Sequence, residues 1–423
     1  MDALIELHQS LDNQAEVGAS WLLHAKGLDW SDTPLPAVVR RDPWPAESSA
    51  SRLERVLTIV AHAFATAKCF EAACAALDRI IAYHRGTTMR FDRVADLLSL
   101  ESHLYSQMFR EERFFPTYFL VSYSGDGFPA DLKRSSFIYR GRALERTAEF
   151  EARLLAKWPS AIRGGAAAAA GGDQITVALV SPVAASAVDG GLIAGPPGRA
   201  VTKFVRAATV NVTVDTFVRA RPIRKRVGAK SENEFLDLWV LKSVFTCRDA
   251  FPGTQRRADV TAVRDVELNP IEAAVDALNT KTVELQDMIE TVTLSGAPVA
   301  PQAFTMAVRG VVDAAVNGGV KRYEPFFDGS YAVSAPEIAA DVASSEAKVR
   351  RRVACAAALV GGASSRNACL RAAHGSRDAA PGNPRPAARP GARDRRACDQ
   401  VRFVDAAIAR STGRATSVSA PHG

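Results

Sequence analysis

At Phe115-Pro116 the apolar residues of this chain stop falling on helical faces and give way to an aromatic, β-branched run. At Asn269-Pro270 the helical spacing returns. This double change of period constrains the fold more than any other feature. A period of three to four residues and a period of two bury different faces, so they do not share one element. The pattern predicts an α+β chain of several lobes: helices first, then a mostly antiparallel β unit, then helices again.

In the first part, Leu53, Val56/Leu57, Val60 and Phe64 fall on one helical face. Phe70, Cys74, Leu77 and Ile81 make a second face, and Phe91, Val94, Leu98 and Tyr105 a third. Each stripe reads as core, and short links between them suggest an antiparallel helical array over 1–112. A Pro-rich loop, Thr33 to Pro45, precedes them. The β part, 113–262, holds TYFLVSY, SFIYRG, QITVALV, a run from Val201 to Val218 and FLDLWVLKSVFT. One helix interrupts it, with Phe150, Leu154 and Trp158 at helical spacing. Gly-rich stretches at Gly164 to Gly172 and Gly190 to Gly198 read as loops.

From about Asp265 the chain is expected to turn helical, with Asn269 as cap, Pro270 at the first helical position and Glu272 completing a capping box. Ile271, Val275, Leu278, Thr282, Leu285, Ile289 and Val292 then form a seam for packing on another helix. A second helix follows, with Phe304, Ala307/Val308, Val311 and Ala315 inward, and breaks at Val316 into Asn317-Gly318-Gly319. This bundle takes 263–345.

The net charge of +7 points to nucleic acid only until it is located. Residues 346–423 hold 15 Lys/Arg against 5 Asp/Glu, a net of +10, which leaves −3 for the rest. That tail is rich in Ala, Arg, Gly and Pro and is expected to be disordered. No basic stripe interleaved with aromatics occurs before it, so nucleic acid is not an expected partner. No stretch approaches the roughly 18 uninterrupted apolar residues of a membrane span, and no basic start with an apolar run opens the chain. The six cysteines form no CxxC pair and no zinc spacing. The expected setting is cytoplasmic, with any recruitment to the plasma membrane left to partners.

Motifs for bond-making chemistry are missing. GxxxxGK[ST], GxGxxG, GxSxG and HExxH do not occur. The seven histidines are scattered and read as packed or solvated side chains. Glu111-Glu112-Arg113 and Arg256-Arg257 read as solvated charges, and the basic run Arg221 to Lys230 as a loop. No cofactor is implied. These residues point to an interaction protein rather than an enzyme that makes or breaks covalent bonds.

Several stretches, taken in order, resemble the catalytic second homology region of the dedicator of cytokinesis (DOCK) family, guanine-nucleotide exchange factors for Rho-family GTPases. They are WLLHAKGLDWSDTPLP, KCFEAACAALDRI, PTYFLVSYSGDGFPADLKRSSFIYRG, LERTAEFEARLLAKWPSA, ENEFLDLWVLKSVFT, FPGTQRRADV, ELNPIEAAVDALNTKTVELQDMI and GVVDAAVNGGVKRYEPFF. The likeness spans about residues 1–340 and is most like the Rac-directed branches. It implies a helical lobe that makes a homodimer, a β lobe that contacts the GTPase, and a helical bundle that carries the exchange centre. Val316 falls on the family's nucleotide-sensing valine, held by Asn317, Gly318 and Gly319. Leu268, Asn269 and Pro270 match a segment the family needs for activity, where the usual Ile-Ser has become Leu-Asn. Val312 and Tyr323 are expected to meet the GTPase. Two departures stand out: Pro325 replaces a helix former, and the likeness stops near Ser345, where the family continues with further bundle helices. The alternative reading is a GTPase-binding or dimerisation scaffold without exchange activity.

Overall fold

The computed structural model describes residues 2–38, 44–111, 113, 115–133, 135–164, 172–183, 213–223, 237–278, 280, 285, 306 and 325–326. The chain forms two compact units. Among the described residues, the first takes those up to 183, 213–220 and 242–266. The second takes 221–223, 237–241 and those from 267. The fold mixes helices with a closed sheet, as an α+β chain should.

The first unit opens with α1 (Asp2–Ser10), α2 (Gln14–Ala25), α3 (Ser49–Thr66), α4 (Phe70–Tyr83) and α5 (Phe91–Arg110). They pack in chain order, each helix on the next. Ser48 starts α3 by accepting a hydrogen bond from the Ser51 N–H at 3.2 Å, which satisfies one of the orphan donors of the first turn. Leu53, Val56, Leu57, Val60 and Phe64 of α3 are buried, and so are Phe70, Cys74, Leu77 and Ile81 of α4. The Pro-rich loop is tied down by a residue of α3. Arg52 donates to the carbonyls of Pro36 at 2.8 Å and Pro45 at 2.9 Å, and pairs with Glu47.

The third stripe departs from expectation. On α5 the buried positions are Val94, Leu97, Glu101 and Leu104, whereas Phe91, Leu98 and Tyr105 are 63%, 41% and 47% exposed. Among the described elements α5 packs on α4 and on the π turn His84–Thr88. It therefore has one buried edge, and the heptad Phe91, Leu98 and Tyr105 lies off it.

The sheet is built from β3 (Pro116–Ser124), β4 (Ser136–Ala143), β5 (Ile162–Arg163), β6 (Gln174–Pro182), β7 (Val214–Ile223), β8 (Trp239–Phe251) and β9 (Arg257–Leu268). A two-stranded pair, β1 (Pro34–Leu35) with β2 (Glu47–Ser48), sits apart under α3. The order β3-β4-β9-β8-β7-β6 returns to β3 through an antiparallel β3–β6 ladder, so six strands close a ring, and β5 adds a short parallel pairing on β6. Closure removes the free edges that an open sheet would expose.

Alternation sorts the ring's side chains. Tyr118, Leu120, Ile138, Ala178, Val180, Phe217, Phe245, Phe251 and Ala258 come from all six strands and form one cluster, the interior. Phe119, Val121, Tyr123, Phe137 and Ile175 point the other way, onto α6 (Thr147–Leu155), where they meet Phe150 and Leu154. Phe119 stacks on Phe150 with ring centroids 4.2 Å apart. β3 is thus buried on both faces, which is why TYFLVSY reads as a continuous apolar run. Gly141 is required by the same packing, since a Cβ there would lie 2.6 Å from the Phe119 ring and 2.8 Å from the Thr117 carbonyl.

The helical array and the ring belong to the same unit. His8 Nε2 lies 2.9 Å from the Thr254 carbonyl oxygen, and Arg140 of β4 donates to Glu16 of α2 at 2.7 Å.

Candidate functional site

β9 extends to Leu268, three residues past the position where the helical pattern was expected to begin. The stretch Val260 to Leu268 keeps its extended form as the partner of β8. The start signal itself falls where the spacing puts it. Helical residues run over 270–278.

Asn269 Oδ1 accepts from the Glu272 N–H at 2.9 Å, and Glu272 Oε2 accepts from the Asn269 N–H at 3.0 Å. The Asn269 carbonyl also accepts the first helical bond, from Ala273 N–H at 2.8 Å. This is a complete capping box: two orphan donors at the helix start are satisfied reciprocally. Pro270 lacks an N–H and has its φ fixed in the helical range, so it suits the first helical position. The Glu272 carboxylate sits where the helix dipole favours negative charge.

Burial locks the junction. Leu268 and Ala274 are fully buried, Asn269 is 6% exposed, and Ile271, Val275, Leu278 and Leu285 are buried. Four members of the predicted seam are therefore internal; Thr282, Ile289 and Val292 lie outside the described residues. Leu268, Asn269 and Pro270 are brought together at one strand-to-helix turn. Val312, Val316, Asn317, Gly318, Gly319 and Tyr323 lie outside the described residues, as do the residues from 327 onward. Pro325 and Phe326 lie in a 3-10 turn, with Phe326 buried.

Two charged positions were misread from sequence. Arg113 is 7% exposed and donates both ways to Glu71, at 2.7 and 2.9 Å. Arg256 is drawn inward to the Arg140 and Gly141 carbonyls and to Asn13. For Arg256 the signal in the sequence was Glu16, the one acid of α2; it is fully buried and calls for cations.

The described thiols are buried. Burial pushes the thiols of Cys69 up to about 11 and of Cys74 and Cys247 up to about 12, so at neutral pH they stay protonated. Among the described residues, no group of three or more His, Cys, Asp or Glu could hold a metal ion. No described helix is long and apolar enough to cross a membrane.

Comparison with known proteins adds a separate line of evidence. No family model matches the chain. Dedicator of cytokinesis protein 4 of Mus musculus is 30% identical over 353 residues, covering 79% of this chain and 17% of that protein. Dedicator of cytokinesis protein 3 of Homo sapiens is 28% identical over 336 residues, 78% of this chain and 16% of the relative. DOCK-like protein 1 of Saccharomyces cerevisiae is 24% identical over 316 residues, 71% and 16%. The chain spans about a sixth of the length of the curated relatives it matches.

Proposed function

The chain belongs to the dedicator of cytokinesis family over the stretch it shares with these relatives, and from that premise we propose that it is a guanine-nucleotide exchange factor for a Rac-like Rho-family GTPase. The observation that carries the reading is the closed capping box at Asn269 and Glu272 beside the buried Leu268. It forms in the segment that the family resemblance assigns to activity, and it closes the start of the helix that follows.

The proposed chemistry is displacement rather than proton transfer. A GTPase holds GDP through phosphate contacts and a Mg²⁺ ion, a hard cation that takes near-octahedral oxygen ligands. Val316, projected beside that ion, offers no oxygen and excludes the waters that did. Without the cation the phosphate charge is no longer neutralised, and GDP leaves faster. The factor works by binding the nucleotide-free GTPase more tightly than the GDP form. Valine has few rotamers, so a loop can hold it stiffly, and Asn317, Gly318 and Gly319 supply the backbone freedom to present it.

In this reading residues 1–112 dimerise, 113–262 contact the GTPase, and 263–345 hold the exchange loop, with Val312 and Tyr323 at the GTPase surface. The exposed Phe91, Leu98 and Tyr105 face of α5 supports the dimer, since it is a heptad stripe that the rest of the described fold leaves open. The scaffold reading keeps one sequence feature in its favour: Pro325 replaces the helix former that the resemblance leads one to expect there. The two readings separate in one experiment, binding of a Rac-like GTPase measured beside release of labelled GDP. Exchange requires both; a scaffold gives binding with release unchanged.

A further inference from the structure

The joint between the helical array and the ring holds a surplus of positive charge. Two inward guanidinium groups share a single carboxylate. Glu16 Oε1 accepts from Arg140 at 2.7 Å and lies 3.9 Å from Arg256. Arg256 spends its N–H groups on neutral acceptors instead: the Arg140 carbonyl at 3.0 Å, the Gly141 carbonyl at 2.6 Å and Asn13 Oδ1. One full positive charge is left without a counter-charge.

The choice made by Asn13 has a second effect. Asn13 is the N-cap residue of α2, and with its oxygen on Arg256 it makes no side-chain cap. The N–H groups of Gln14, Ala15 and Glu16 are left to the positive end of a 12-residue helix. Both features open on one cleft of about 390 Å³, and Arg142 and Lys68 stand in its lining. Lys68 is occupied by Glu111 at 2.9 Å; Arg142 has no ion-pair partner among the described residues. The acidic groups of the cleft are Glu16, already taken, and Asp12, which accepts from Gln14 Nε2 at 3.2 Å.

A third observation is independent of the helix end. Glu16 Oε2 and Arg140 Nε, on two residues that line this cleft, are buried without a hydrogen-bond partner. Native interiors leave few such groups, and their concentration marks a place where a solvent molecule or a ligand completes the network. The environment also bears on Arg256 itself: burial, with Arg140 and Arg153 nearby, holds its guanidinium below the ordinary arginine value despite Glu16.

We propose that this cleft is a binding site for a small soluble oxyanion of the phosphate class, seated on the α2 N-terminus between Arg142 and Arg256. It would supply the missing counter-charge and cap the helix at once. Occupancy would brace the array against the ring, and the site is separate from the proposed exchange centre.

Titration of the full chain with inorganic phosphate, at ionic strength held constant with sodium chloride, tests this by calorimetry and by thermal melting. Saturable binding with a raised melting temperature is expected. Arg142→Glu, on an exposed side chain, should weaken binding by about tenfold or more. Asn13→Asp is the sharper variant, because its carboxylate would both cap α2 and face Arg256. It should melt higher than the parent without phosphate and lose the response to phosphate. Equal stabilisation by chloride alone would overturn the proposal, as would a phosphate response that survives in Asn13→Asp. Vesicles carrying phosphatidic acid form the last arm: capture by vesicles with no response to free phosphate would also overturn it.

Discussion

Replacing Asn269 with alanine removes the acceptor for the Glu272 N–H and leaves a buried helix end half satisfied. The expected loss is about 1 kcal/mol, read as a lower denaturation midpoint. Asn269→Ser, which restores the residue usual in the family, should melt within error of the parent. Equal melting of the alanine and serine variants would show that the cap does not hold this junction. At the same scale, Cys69, Cys74 and Cys247 should resist alkylation at pH 8 in the folded chain and react once it is unfolded, as site-resolved mass spectrometry would record. Comparable labelling in both states would contradict their burial. The sign of the linkage follows from the raised pKa values. Unfolded thiols ionise near 9.0, and the folded ones only near 11 to 12. The contribution is intact below pH 9 and is lost as the pH rises through the folded values. Residue by residue, legibility followed locality. The Asn269–Glu272 pair lies three positions apart and could be read directly. The Glu16–Arg140 pair joins positions 124 apart, and no period or spacing carries such a contact.

Elements were legible where one face is buried and the other is wet. The stripes of α3 and α4 came out of the spacing because each helix has neighbours on both sides. α5 has a described neighbour on one side, so an apolar heptad there could point inward or outward, and Phe91, Leu98 and Tyr105 point outward. Leu98→Glu tests the use proposed for that face. Light scattering should show a dimer for the parent and a monomer for the variant, with unchanged circular dichroism. A parent that elutes as a clean monomer would remove the dimer reading. Among strands, TYFLVSY and QITVALV were recognisable by composition. Closure of the ring was not, because the β3–β6 ladder depends on register between segments separated by β4, α6 and β5. The end of β9 was also misjudged: its outer residues are exposed and mixed in character, and its pairing with β8 carries the strand on to Leu268.

For the whole molecule, the family relation and the absence of a described metal cluster or catalytic motif leave the proposed exchange reading to be tested on a GTPase itself. The proposed exchange mechanism needs no titrating residue. The candidate site was legible in two halves of different kind. The capped helix start could be read from chemistry alone. The role proposed for Val316 came from the resemblance, because a valine before Asn-Gly-Gly has no signature of its own. The most direct measurement is the release rate of fluorescent GDP from a Rac-like GTPase, with the chain and with its Val316→Ala variant at equal concentration. Acceleration by the parent, lost at least about tenfold in the variant while GTPase binding persists, is the expected result. No acceleration by the parent, or equal acceleration by both, would contradict it.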